Sequence, residues 1–348
     1  MNENFYYFAS YTAALAAGLT AEDAGAVARA VRFAESYTAD GSGEGDAASP
    51  AKKAASPGVM AALHYLPGDP ARTMAQADPR SGNAPGMRDA LSLVSGPDGS
   101  LARRAAGWAR ERWRDDEAHT GARQAAGIVL HALADACLHR GFAGVASETV
   151  NAAGGILTAK EIPPEQMRQL LGRDGPLSAE DPFELEPYAP EDPPSSFLGC
   201  AQLGALAGAP GRIFTYQSPW RAVPTVSWVG PSRFAGAYLV MKEALAYIRR
   251  AKADFEPPSE SSDEARGLAL SFSGFPSDES LPEEWWQPFA WCRRRPCDHR
   301  EPVWETDRDY IDSFDRQLFA FRDLVWDACP ALRRSAKRPE TEKTGGLV

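Results

Sequence analysis

Residues 5–17, FYYFASYTAALAA, place Phe5, Phe8, Thr12, Leu15 and Ala16 near one helical face and stop at Gly18, a residue suited to closing a helix. Thr20 then opens TAED, a capping-box-like start with an acidic residue three positions on. Val27, Val31 and Ala34 line the helix that follows, to about Tyr37. Residues 40–58, DGSGEGDAASPAKKAASPG, have no period and abundant Gly, Ser and Pro, which predicts a mobile loop. VMAALHYLPGD (59–69) is a short apolar segment carrying His64 and broken by Pro67 and Gly68. LARRAAGWARERWRDDEAH and TGARQAAGIVLHALADACLHRGF predict two long helices, the second ending at Gly141. SRFAGAYLVMKEALAYIRRA (232–251) and DYIDSFDRQLFAFRDLVWDA (309–328) are amphipathic helices by their spacing of Phe, Tyr, Leu and Ile, while RIFTYQ and TVSWV suggest short strands. The fold class is therefore mostly α: a multi-helix bundle around one central buried helix, with an irregular second half rich in Pro and Trp and little or no sheet. One helical domain is expected over 1–330, with an acidic, proline-rich segment at 174–196 and a disordered tail at 331–348.

Composition changes this picture only at the margins. At 348 residues and 44% hydrophobic content the chain can bury a large core. The longest apolar run, 125–138, is interrupted by His131 and Asp135 and falls short of the roughly 20 residues that span a bilayer, so no membrane span is expected. The N-terminus has neither a basic leader nor an evident cleavage site, and the default location is the cytoplasm. Five cysteines, Cys137, Cys200, Cys292, Cys297 and Cys329, are an odd number spread through a large chain, which is not a disulfide framework, and reduced thiols are expected. A net charge of −10 and the absence of a long basic stripe disfavour nucleic acid as a partner.

The candidate chemistry lies in HALADACLHRGF, residues 131–142. At about 100° per residue, His131, Asp135 and His139 fall within an arc of about 80°, with about 6 Å of rise between neighbours. The surrounding positions are apolar on all sides, as in a helix enclosed by protein. Buried without partners, such groups cost several kcal/mol, so something must satisfy them. A plain structural account pairs His131 with Asp135 or a backbone carbonyl; three ionisable groups at ligand spacing favour a metal instead. His131 and His139 are about 12 Å apart along the axis. A single ion therefore cannot readily use both, and ligation by both implies two ions with Asp135 between them. One helix cannot complete a coordination shell. His64 is the first outside candidate; Glu35, at the end of the apolar face of the second helix, is another.

HALADACLHRGFAG, with NFYYFASYTAALAAGLTAEDA, AVRFAES and ALHYLPGD, resembles an uncharacterised bacterial family of unknown function that carries a similar HxxxDxxxH helix; the likeness spans roughly residues 4–145. The HxxxD element is also similar to the metal-binding helices of zinc-dependent phospholipase C and the single-strand-specific zinc nucleases. That likeness implies a largely helical enzyme with bound zinc. The chain departs from the family's pattern where an Asp-Phe-His start is replaced by Asn4, Phe5 and Tyr6, and paired aspartates by Glu35 and Ser36. Cys200 stands where relatives carry a histidine and would supply a soft ligand. The departures imply a reduced site with one metal, or a site that has lost its metal.

Other constellations carry less. Cys292, Cys297 and His299 lack a fourth zinc ligand, Arg293–Arg295 form a solvated run, and His119 sits in an exposed charged stretch. ALSFSGF, with Ser271 and Ser273, is not a GxSxG elbow, and GSGEGD lacks the lysine of a phosphate loop. Glu283, Glu284, Trp285 and Trp286 form an amphipathic surface patch, and Cys137 faces the core. The expected function is a metal-dependent hydrolase acting on a small-molecule phosphoester or related polar ester. Its expected ligands are His131, Asp135, His139 and His64, with Glu35 or Cys200 completing the shell around zinc, or manganese or iron. The alternatives are a non-catalytic helical binding protein with a degenerate site and, third, a metal-dependent oxygenase. The pattern specifies no oligomeric state.

Overall fold

The computed structural model describes residues 3–39, 57–69, 95–115, 120–138, 160–162, 213–216, 225–228, 231–258, 262–272, 307–330 and 332–333. These form helices α1 (Glu3–Ala16), α2 (Ala21–Ala39), α3 (Pro57–His64), α4 (Ser100–Asp115), α5 (Thr120–Leu138), α6 (Pro231–Ile248), α7 (Asp263–Phe272) and α8 (Arg308–Ala328). Three short strands, β1 (Lys160–Ile162), β2 (Ile213–Tyr216) and β3 (Thr225–Trp228), form an antiparallel sheet in the order β1-β2-β3. Ile213 pairs with both Ile162 and Trp228. The fold is mostly α, and β2 and β3 coincide with RIFTYQ and TVSWV. No helix among the described residues is long and apolar enough to cross a membrane.

Helix α5 is the axis of the bundle. Gln124 to Leu138 are all buried, and the helix packs against α2, α3, α4, α6 and α8. Its all-round apolar sequence dictates this position, because no side of it can face water without cost. At the end of its described span the buried Arg233 of α6 donates to the carbonyls of Cys137 (3.3 Å) and Leu138 (2.8 Å), which ties α6 to α5.

Helices α1 and α2 form a hairpin whose corner follows from its residues. Gly18 takes φ +86°, its N–H reaches Leu15 O at 2.9 Å and that of Leu19 reaches Ala14 O at 3.0 Å, a Schellman closure with Leu19 buried beneath it. Thr20 Oγ1 accepts from the Asp23 N–H at 3.1 Å and donates to Asp23 Oδ2 at 2.9 Å, while Arg123 of α5 donates to Asp23 Oδ1. The cap of α2 is thereby tied to α5. Helix α1 differs from the one-faced helix its spacing predicts. Residues 5–14 are buried all round, Tyr6 and Tyr7 included, while Ala16 is exposed, because α1 lies between α2 and α6.

Other differences are local. Helix α3 begins at Pro57, so residues 57 and 58 belong to it rather than to the expected loop; proline suits a first helical position, where its missing N–H is not needed. Helix α7 was not expected. Ser262 caps it by accepting from the Ala265 N–H at 3.1 Å, with Asp263 and Glu264 in the first turn. Leu332, beyond the expected end of the domain, is buried. Residues 40–56, 139–141, 174–196 and 334–348 lie outside the described residues.

One contact sets the spacing of α2 and α5. A Cβ built on Gly127 would stand 2.5 Å from Ala30 Cβ, 2.9 Å from Ala30 C and 3.0 Å from Val31 N. Glycine at an ordinary helix interior is worth about 1 kcal/mol less than alanine. Here the order reverses: Gly127→Ala is expected to destabilise the protein by about 1–3 kcal/mol, the cost of overpacking, measured by urea denaturation. A stabilised variant would show that the two helices can separate freely.

Candidate metal centre

One turn beyond that contact, Glu35 of α2 meets His131 of α5. The close approach of Ala30 to Gly127 brings Glu35 and His131, five and four positions further along their helices, within reach of each other, and Glu35 Oε2 lies 3.0 Å from His131 Nε2. His64 enters from the last turn of α3. The chain leaving α3 is clamped to a second segment: the N–H of Gly96 and the hydroxyl of Ser95 both reach Leu66 O, and Pro67 bridges Ser95. Gly68 and Gly96 touch so closely that a Cβ on the former would stand 3.0 Å from the latter's Cα. This clamp holds His64 Nδ1 2.6 Å from Asp135 Oδ2 and 3.8 Å from Glu35 Oε2. His131 Nδ1 lies 3.8 Å from the same Asp135 oxygen, and the two imidazoles meet edge to face with centroids 4.9 Å apart.

The four side chains are buried together: His131 and Asp135 are 0% exposed, Glu35 and His64 3%. One ligand atom from each lies within 4.8 Å of every other, so Glu35, His64, His131 and Asp135 can hold a divalent metal ion. The donor set fits such an ion chemically, since imidazole nitrogen with carboxylate oxygen suits zinc, manganese or iron. A further observation points the same way. His131 Nδ1 is buried with no hydrogen-bond partner, which is uncommon and costly for a polar atom.

Of the remaining predicted ligands, His139 and Cys200 lie outside the described residues, as do His119, Cys292, Cys297, His299, the Arg293–Arg295 run, the Glu283–Trp286 patch and Ser273. Ser271 lies in α7. Ser36 takes no part in the cluster: its hydroxyl turns back to Arg32 O at 3.3 Å on its own helix. Cys137 is buried, in keeping with a core position. The family resemblance makes Tyr6 only a missing histidine. The residue in fact sits inside the site, its hydroxyl donating to Asp135 Oδ1 and its ring stacked on His131 at 4.7 Å and 20°. The cue lay in FYYF, which is apolar on too many sides for a surface helix.

The two carboxylates are driven in opposite directions. Burial pushes the Glu35 carboxyl upward, but the hydrogen bond from His131 and the charges of His64 and His131 outweigh it and hold it at about 2. Burial also governs Asp135 and carries it well above the ordinary carboxylate value of 3.8. Their effects on stability therefore oppose each other. Glu35 contributes stability that is present above its ordinary value of 4.5 and is lost as pH falls towards 2. Asp135 contributes stability that is complete below 3.8 and is lost as pH rises through its raised value. In metal-free protein, Asp135→Asn is thus expected to melt above the unmutated protein at pH 8, with the gap closing as pH falls to 4. Thermal melts by circular dichroism in EDTA check this; a gap that does not narrow on acidification would contradict it.

No curated protein and no solved structure matches the chain. A family profile does, over residues 1–290, well past the residue 145 at which the resemblance was expected to fade. The chain belongs to that family, a family of unknown function designated DUF6765.

Proposed function

We propose that the Glu35–His64–His131–Asp135 cluster takes up one divalent cation, zinc first, with manganese or iron as alternatives, and that the protein is a metal-dependent hydrolase of a small-molecule phosphoester or related polar ester. The observation that carries the reading is the convergence of two imidazoles and two carboxylates, from three helices, in a buried space. A cation in such a place supplies Lewis-acid chemistry, making water a nucleophile near neutral pH and stabilising charge that develops on the departing oxygen. The chain's own groups define the rest. Glu35 supplies negative charge that little water screens, and Asp135 supplies more once a cation displaces its proton, so a cation gains more there than at the surface. Tyr6 and the walls of α1, α2 and α5 exclude bulk water. The expected setting is the cytoplasm.

A second reading is favoured by one feature. All four side chains are nearly inaccessible, and closed sites are the mark of structural metals, catalytic ones keeping a position open. On that reading the ion stabilises a helical binding protein. An oxygenase also gains ground: ligands on one straight helix do not make a facial triad, but α2, α3 and α5 each contribute here.

Elemental analysis of tag-free protein reconstituted with zinc, manganese or iron is expected to find about one equivalent of metal, lost in His131→Ala and Asp135→Ala. Less than about a tenth of an equivalent in the unmutated protein would end the metal reading in all its forms. Turnover on a panel of phosphoesters, abolished in Asp135→Ala, is expected of the hydrolase. A loaded protein that hydrolyses none of them, yet melts higher than its metal-free form, would favour the structural ion.

A further inference from the structure

The four side chains of the cluster differ in which atoms are already engaged. Glu35 Oε2 lies 3.0 Å from His131 Nε2. An ionised carboxylate only accepts hydrogen bonds, so Nε2 carries hydrogen and donates. The opposite ring nitrogen, Nδ1, is left buried and without a hydrogen-bond partner, 3.8 Å from Asp135 Oδ2. That same oxygen is the one 2.6 Å from His64 Nδ1. The other Asp135 oxygen, Oδ1, accepts from Tyr6, whose ring lies flat on the His131 imidazole.

Resting on the reading that the cluster holds a divalent ion, we propose that His64 Nδ1, His131 Nδ1 and Asp135 Oδ2 are its ligands and that Glu35 and Tyr6 are positioning residues. Glu35 accepts the Nε2–H of His131, which selects the tautomer with a lone pair on Nδ1 and sets the plane of the ring. A histidine ligand commonly donates its other N–H to a carboxylate in this way. Tyr6 engages Oδ1 and so leaves Asp135 to bind through Oδ2 alone. Glu35 Oε2 also stands 3.8 Å from His64 Nδ1, so the rival arrangement has Glu35 as a fourth ligand. The two differ in consequence. Three protein ligands leave a position for substrate or water, as a hydrolytic site needs; four close the shell in the manner of a structural ion.

Cobalt(II) on the full-length, tag-free protein separates them. Glu35→Gln retains an amide oxygen able to accept from His131. It is expected to bind Co2+ at the unmutated stoichiometry with its visible absorption unchanged, and with affinity lowered about 10- to 100-fold by chelator competition. Tyr6→Phe, which keeps the stacked ring, is expected to lose affinity by the same order. A Glu35→Gln spectrum that reports a changed coordination number, or stoichiometric loss of Co2+ in a variant that still folds, overturns the assignment of Glu35; unchanged affinity in Tyr6→Phe overturns that of Tyr6. Should Glu35→Gln fail to fold, unmutated protein with nitrogen-15 histidine and bound cadmium-113 decides the matter. Coupling of the metal to His131 Nδ1 is expected, and coupling to Nε2 overturns the proposal. Unmutated protein that takes up no Co2+ or Cd2+ overturns the metal reading and this inference with it, whereas uptake with Nε2 coupling overturns this inference alone.

Discussion

Four ionisable side chains stand out of water in the middle of this bundle, and each answers for another. An isolated carboxylate in such surroundings costs far more than any single contact returns, so it must be paired or protonated. Here Glu35 is paired with His131, and Asp135 is held between Tyr6 and His64. The four helices that carry these residues, α1, α2, α3 and α5, cannot shift independently without breaking one of those contacts. The polar cluster therefore acts as a constraint on helix placement, which an apolar core of the same size would impose less sharply.

Small residues make the constraint geometrically feasible. Gly127 allows the backbones of α2 and α5 to approach to a distance at which no Cβ fits, and that approach puts Glu35 against His131. The Gly68–Gly96 contact does the same for the end of α3 and His64. Both are places where a side chain is absent so that a more distant one can be placed. Close backbone approach transmits position better than a layer of flexible side chains, because packed interiors deform little.

The unequal treatment of the two carboxylates gives the site its chemical character. Glu35 is held ionised by two imidazoles, while Asp135, dominated by burial, keeps its proton to higher pH. A pair of carboxylates whose environments push them apart is suited to separate roles. The arrangement of partners fits that division, with Glu35 engaged at the far nitrogen of His131 and Asp135 facing both the near nitrogen and His64.

Periodicity and end signals were enough to place α1, α2, α4, α5, α6 and α8, because each repeats its apolar residues over several turns. The buried setting of α5 was legible for the same reason. The stripe of His131 and Asp135 could be read as a pair on one face, since i, i+4 spacing is a property of the helix alone. Helix α7 was missed because ten residues offer little periodicity, and β1 because three residues offer none. The sequence also named His64 and Glu35 as candidates without showing where they meet, since they join α5 from 71 and 96 positions away. What it misjudged was Tyr6, a departure from a family pattern on paper and a hydrogen-bond donor to Asp135 in space, 129 positions distant. Local sequence thus determined the long helices, the enclosed setting of α5 and which of its residues were too polar to be buried alone. Only the packing of three further helices against α5 decided which of them satisfy one another, because hydrogen bonds reach about 3 Å and depend on distances that no spacing along the chain contains.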